Sequence, residues 1–225
     1  MTYVVLDLET ITKEHLGRTA SFLVNDIVAV GFKHQNEKQA RSYYKSGVEF
    51  QEIKFINVLV GHNIKFDLLY LWKYEEFQDY LARGGKIWCT QLAEYILSGQ
   101  QHKYPALRDI AVNKYGCKER EKVMEKYWDQ GICTSQIPEE LVRYDVENDV
   151  LDTEKVMLGQ IKLLKKDGMF NLALEMMEGL LATTEMEYNG IYINQEIMNK
   201  NQQTLEKELE VLYTDVNKLA EGYWK

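Results

Sequence analysis

The run Tyr3-Val4-Val5-Leu6-Asp7-Leu8-Glu9-Thr10 constrains this chain more than any other stretch of it. Tyr3 to Leu6 have the aromatic, β-branched and aliphatic composition of a buried strand. Asp7 and Glu9, two residues apart, share one face of that strand because successive side chains alternate. Two carboxylates side by side on a core strand are costly unless a positive charge lies between them. A divalent cation held by hard oxygen ligands is the simplest compensation. The alternative is a strand that frays into solvent at Leu8 and leaves both acids hydrated.

Ile56 to Val60 reads as a second apolar strand, followed by Gly61-His62-Asn63-Ile64-Lys65-Phe66-Asp67. Phe66 to Trp72 then reads as a helix, so Asp67 stands just inside a helix start, close to a strand end. Ligand sites form at such places in α/β folds. An acid in a first helical turn and an asparagine in a turn also occur with no ligand at all. A third acidic segment, Tyr144-Asp145-Val146-Glu147-Asn148-Asp149-Val150-Leu151-Asp152-Thr153, continues to Leu158. Val146, Val150, Val156 and Met157 form an imperfect helical stripe, flanked by Asp145 and Asp149 at i,i+4. On its own this run also suits a solvated helix face.

Together the three segments resemble the 3′–5′ proofreading exonucleases of the DEDD superfamily, which have a ribonuclease H-like fold. The first motif of that family, D-x-E, is matched by Asp7 and Glu9, and the second, N-x-x-[FY]-D, by Asn63, Phe66 and Asp67. The third motif of the tyrosine-bearing branch, Y-x-x-x-D, is matched only with a shift. Asn148 stands where the aspartate would follow Tyr144, and Asp149 comes one residue later. The resemblance assigns the fourth acid to Asp149, gives the tyrosine's role to Tyr144 and makes Asp145 its rival. One residue is about 100° of helical rotation, so Tyr144 is expected to reach the site across a local bulge or from the preceding turn.

The likeness runs beyond the motifs. Ile87 to Leu97 resembles the helix between the second and third motifs of polymerase exonuclease domains, and Tyr104 through Gly116 the next helix. Glu185-Met186-Glu187-Tyr188-Asn189-Gly190-Ile191-Tyr192-Ile193-Asn194 is similar to the passage that joins the exonuclease domain to the thumb in bacterial family A DNA polymerases. Leu205, Leu209, Leu212, Val216 and Leu219 then recur at helical spacing within Glu196 to Trp224. The resemblance implies an α/β fold, a ribonuclease H-like mixed sheet flanked by helices, with a C-terminal helical extension. It divides the chain into an exonuclease domain at 1–168 and a connection with a thumb-like helix at 169–225. The palm and fingers would come from the same or a separate chain, in a phage-like arrangement.

The resemblance also implies a mechanism. Asp7, Glu9, Asp67 and Asp149 would hold two Mg²⁺ ions, with Mn²⁺ as a substitute, roughly 3.5–4 Å apart. Asp7 would bridge them, Glu9 and Asp149 would complete one site, and Asp67 the other. Tyr144 would orient the attacking water. Asn63 would touch the terminal nucleotide, with Leu8 and Thr10 near the last base and Phe66 in the core. The substrate would be a single-stranded DNA 3′ end, mismatched ends being preferred because they unpair more cheaply. Two other readings carry the same motifs: a ribonuclease D-like RNA exonuclease, and a degenerate exonuclease domain serving as a scaffold. A module that interacts only through the C-terminal helix leaves the acids unexplained.

Composition narrows the class without naming it. The 225 residues suit one α/β domain with a helical extension. With only two prolines and no Gly/Ser-rich run, no flexible linker is expected. Cys89, Cys117 and Cys133 are widely spaced, which suits reduced thiols in a cytoplasmic setting, that of the bacterial host if phage-encoded. Asp7 and Glu9 interrupt the first apolar run, so it does not read as a secretory leader, and no stretch is long enough to span a membrane. A net charge of −8 is unusual for a nucleic-acid binder. Lys162, Lys165 and Lys166, and the lysines from Lys114 to Lys122, are the candidates for phosphate contact, although lysines on a helix surface are common.

Overall fold

A computed structural model describes residues 2–11, 22–45, 50–101 and 104–221. Five strands form one mixed sheet: β1 (Tyr3–Thr10), β2 (Ile27–His34), β3 (Arg41–Tyr44), β4 (Val58–Gly61) and β5 (Lys86–Cys89), in the order β3-β2-β1-β4-β5. β1 pairs antiparallel with β2 and parallel with β4, and β4 pairs parallel with β5. The acid-bearing strand is therefore central. Its apolar residues Val4, Val5, Leu6 and Leu8 are buried in the main core.

Eight helices surround or follow the sheet. They are α1 (Lys65–Leu71), α2 (Glu75–Ala82), α3 (Thr90–Leu97), α4 (Leu107–Asn113), α5 (Val123–Trp128), α6 (Glu139–Lys166), α7 (Phe170–Asn189) and α8 (Gln195–Glu221). The architecture is the expected mixed sheet with flanking helices. Ile87 to Cys89, read from sequence as the start of a helix, are instead strand β5; a short apolar run fits either element, and pairing with β4 decides it here. The helix proper begins at Thr90.

α6 is the element that organises the site. Glu139 and Glu140 lie in its first turn and Lys165 and Lys166 in its last, the arrangement that suits the helix dipole. Val142, Val146, Val150, Thr153, Met157, Gln160 and Leu164 form its buried stripe. The helix lies close against the sheet because Gly31, the partner of Asp7 on β2, has no side chain. A Cβ on Gly31 would stand 2.8 Å from the carbonyl oxygen of Val146 and 2.9 Å from its Cγ2. Gly159 receives the Tyr115 ring in the same way, at 2.4 Å from a hypothetical Cβ.

Two polar networks lock α6 to the fold. Lys33, almost fully buried, bonds Glu154 at 2.9 Å, and the Tyr3 hydroxyl donates to the same carboxylate at 2.8 Å. Further along, Gln160 Nε2 donates to the Thr90 carbonyl at 2.8 Å and to Glu94 at 3.0 Å.

The chain divides into two compact units, Met1–Tyr188 and Asn189–Lys225. α7 up to Tyr188 belongs to the first, where Tyr188 meets Trp72 with ring centroids 5.8 Å apart. In the second unit α8 carries the expected stripe of Leu205, Leu209, Leu212, Val216 and Leu219, with none of its residues buried. The end of the expected thumb-like helix, 222–225, lies outside the described residues. Among the described residues no helix is long and apolar enough to cross a membrane.

Candidate active site

Three chain segments bring acids to one place. β1 presents Asp7 and Glu9 on the same face, opposite the small residues Gly31 and Ala29 of β2. α1 begins where β4 ends, with Asn63 in the left-handed region at φ 52° and the Phe66 amide bonded to its carbonyl at 2.9 Å. This tight turn sets Asp67 in the first helical turn, as the sequence predicts, and buries it. The amide of Leu8 donates to Asp67 Oδ1 at 3.1 Å, which ties the second motif to the first. α6 supplies Asp145 and Asp149 from the other side.

Burial and mutual repulsion act on these acids together. Burial pushes the Asp7 carboxyl well above the ordinary range, and Asp149, Asp67, Glu9 and Asp145 add to it. Glu9 is raised to about 8 by burial and then by Asp145, Asp149 and Asp67. Asp149 is raised to about 6 by burial and Asp145, against the pull of Arg120. Asp67 is raised by burial despite the amides of Leu8 and of Asp67 itself. Asp145 is raised by burial too, with Arg120 and Arg108 pulling it back. Like charges crowded in a desolvated place have this signature.

The third motif resolves in an unexpected way. α6 is regular helix throughout, so Tyr144 is neither on a bulge nor in a preceding turn. Its side chain is half exposed, at 51%. Asp145, the rival, lies on the cleft with Asp149. Asn148 is turned away, its Nδ2 donating to the Tyr144 carbonyl at 2.6 Å. Leu8 and Thr10, expected beside a terminal base, are buried, at 5% and 7% exposed. Alternation along β1 turns Leu8 to the face opposite Asp7, inside the core. Asn63 is exposed, and Phe66 packs on the core against Tyr70 at 5.2 Å.

A cleft of about 190 Å³ opens beside the acids. Six acids (Glu9, Glu121, Glu125, Asp145, Asp149 and Asp152) and four cations (Arg108, Lys118, Arg120 and Lys122) line it together with Met124 and Trp128. Arg120 bonds Asp149 at 2.9 Å and also Asp152. Lys118 and Lys122 fall within the lysine run marked from sequence. Lys114 does not line this cleft; it is bound to Glu94 at 2.5 Å. Arg108, Arg120 and Trp128 carried no motif, and only the packing of α4, α5 and the segment between them against α6 brings them here.

His62, inside the second motif's turn, has a different job. Burial lowers its pKa to about 4, so the ring is neutral. Nε2 faces the Pro105 carbonyl at 3.0 Å and must donate, which leaves Nδ1 to accept from the Thr90 hydroxyl at 2.9 Å.

Donor chemistry decides whether a divalent ion fits. Asp7, Glu9, Asp67 and Asp149 offer hard oxygen ligands from three separate elements, and their raised proton affinities mark a negative charge that the fold leaves under-compensated. Among the described residues, no three acid, histidine or cysteine side chains are drawn together into a finished cage. The fit to a divalent ion therefore rests on the donor chemistry of the four acids and on their shared burial.

The chain thus has an α/β, ribonuclease H-like fold with a cleft of converging acids. Its particular neighbours among solved structures agree. The NrnC of Brucella melitensis bound to pGG matches with a TM-score of 0.62 and 15% identity, over 84% of this chain and 85% of that one. The same protein with bound Mg²⁺ matches with a TM-score of 0.60 and 15% identity, over 84% and 86%. A structure described as the apo form of a nuclease matches at 0.61 and 14%, over 84% and 85%. At these identities the likeness establishes the fold. No protein-family model and no curated protein matches the chain.

Proposed function

We propose that this chain is a divalent-metal-dependent 3′–5′ exonuclease that hydrolyses phosphodiester bonds at the end of a single-stranded nucleic acid. One observation carries the reading: Asp7, Glu9, Asp67 and Asp149 converge from β1, α1 and α6 in a desolvated place where their charges repel. These four residues would hold the metal. Bound divalent cations would supply the positive charge that lets the acids ionise together, and would make a water available as hydroxide near neutral pH.

The remaining residues set out the substrate. Arg108, Lys118 and Lys122 line the same cleft as the acids, where they would hold backbone phosphates. Trp128, half-buried at the cleft, offers an aromatic face on which a base would stack without being read. Asn63, exposed at the turn, is free to touch the terminal nucleotide. Asp145, on the cleft wall with Glu9 and Asp149, is better placed than Tyr144 to orient the attacking water.

DNA is the substrate implied by the polymerase-like passage Glu185 to Asn194, and a proofreading role beside polymerase palm and fingers follows from that passage alone. A second reading, a ribonuclease D-like enzyme acting on RNA, is favoured by a different observation. The match to NrnC spans 86% of that protein's chain, so NrnC itself has little beyond this fold, and it has been caught with pGG. Paired assays separate the two. A 5′-labelled single-stranded DNA and its RNA counterpart are incubated with Mg²⁺ or Mn²⁺. A ladder shortened stepwise from the 3′ end, and abolished by excess EDTA, is expected; a ladder unchanged by EDTA would contradict the reading. The faster substrate assigns the sugar.

A further inference from the structure

We propose that Arg120 is a built-in counter-cation for Asp149 which an incoming divalent metal must displace, with Asp152 as the anchor that keeps the guanidinium at the cleft. The proposal rests on the cation-site reading above and adds a residue that no motif contains.

The geometry is specific. One nitrogen, Nη2, bonds both Asp149 Oδ1, at 2.9 Å, and Asp152 Oδ2. Asp149 and Asp152 are neighbours at i,i+3 on α6. The guanidinium is largely enclosed, its side chain 19% exposed, so these are charge-assisted bonds in a desolvated setting. Its backbone is held independently of the acids. Arg108 donates to the Arg120 carbonyl, Lys155 to the Gly116 carbonyl at 2.5 Å, and the Cys117 amide to the Ala111 carbonyl at 2.9 Å. The segment from Gly116 to Arg120 is thus clamped to α4 and α6, and the guanidinium is presented to the acids, not left to wander.

The two carboxylates differ in what else they face. Asp149 is among the acids that crowd Asp7 and Glu9; Asp152 is not. A divalent ion held in part by Asp149 would therefore compete with Arg120 for that carboxylate and leave Asp152 to the guanidinium. On the ion's entry Arg120 would retain Asp152 and stay at the cleft that Arg108, Lys118 and Lys122 also line. The guanidinium then has donors released toward the space where a phosphodiester would lie.

Isothermal titration of the full chain with Mn²⁺, and melting curves with and without it, test the proposal in wild type, Arg120→Gln, Arg120→Lys and Asp152→Asn. Arg120→Gln is expected to bind Mn²⁺ about 10-fold tighter, within the usual range of coupling between sites. Its melting temperature without metal should fall, and its rise on adding Mn²⁺ should exceed that of wild type. Arg120→Lys keeps the charge on a shorter side chain with a more strongly hydrated head, so its affinity should fall between the two. Asp152→Asn should bind Mn²⁺ several-fold more weakly, because Arg120 then leans on Asp149 alone. If Arg120→Gln does not fold, the opposite displacements of Arg120→Lys and Asp152→Asn from wild type carry the same test. Mn²⁺ affinity in Arg120→Gln equal to or below that of wild type would overturn the proposal while leaving the cation site standing. A wild-type chain that binds no Mn²⁺ would overturn the cation site itself.

Discussion

The two halves of α6 handle buried carboxylates in opposite ways. Its C-terminal half brings Glu154 to Lys33 and Tyr3, and Gln160 to Glu94, which also receives Lys114 and the Tyr115 hydroxyl. Burial would raise the Glu94 pKa, but Lys114, Gln160 and Tyr115 hold it below its ordinary value. Its N-terminal half brings Asp145 and Asp149 to Asp7 and Glu9 with Arg120 as the one bonded cation among the described residues, and all four acids are raised. The same helix, packed on the same sheet, thus contains one charge-balanced cluster and one that is not. The fold satisfies carboxylates where they serve structure. Where it leaves them under-compensated, the missing charge is expected from outside.

The comparison breaks most visibly at the acids themselves. Asp7→Ala with Glu9→Ala should lower the rate of 3′-end cleavage by roughly 10³-fold or more, as loss of groups that handle transition-state charge does. The metal-free protein should melt at the same temperature or higher, since two repelling groups are gone. A large drop in its melting temperature would make these acids structural and erase the contrast with Glu154.

Lys33→Met is the mirror experiment. It leaves Glu154 buried without its cation and should cost about 3–5 kcal/mol of stability, read by denaturant unfolding. Enough folded protein at low temperature should retain its cleavage rate within a few-fold. Selective loss of cleavage with full stability would show that Lys33 belongs to the site.

Substitutions in the third motif sharpen the boundary between the two clusters. Asp149→Ala should remove nearly all cleavage. Asn148→Ala, which loses only a bond to the Tyr144 carbonyl, should cost about 0.5–1.5 kcal/mol of stability at most and little activity. Tyr144→Phe should change turnover less than Asp145→Asn does. The reverse order would return the water-orienting role to Tyr144.

Much of this site was legible in the sequence because it depends on local chain geometry. The D-x-E spacing puts Asp7 and Glu9 on one strand face, and the Gly-His-Asn turn puts Asp67 in a first helical turn, whatever the rest of the fold does. The same alternation rule, applied one residue further, would have placed Leu8 in the core. What local geometry cannot supply is the partner across the fold. Arg120 meets Asp149 only because the segment after α4 is clamped onto α6, and Gly31 matters only because α6 crosses β2 at Val146. Where Tyr144 and Asp145 stand relative to the cleft likewise depends on the rotation of α6, which its buried stripe fixes and its acids do not. The Lys33–Glu154 pair joins residues 121 apart in sequence, and neither carries a motif.

Melting temperature against pH, with and without Mn²⁺, tests the central claim most directly. Glu9 at about 8 and Asp149 at about 6 hold their protons more tightly folded than unfolded, where acidic side chains titrate near about 4. Their contribution to the metal-free fold is therefore full below about pH 4 and is lost as the pH rises through 6 to 8. Glu94, lowered in the fold, acts in the opposite sense: its contribution is present above the unfolded value and is lost only on acidification. At pH 8, Mn²⁺ at about 100 times its dissociation constant should add about 2.7 kcal/mol. That is a rise of roughly 5–10 °C for a chain of this size, and it should vanish in Asp7→Ala/Glu9→Ala. A metal-free melting temperature that does not fall between pH 6 and 8, with no rise on adding Mn²⁺, would contradict the claim that the acids under α6 await a divalent cation.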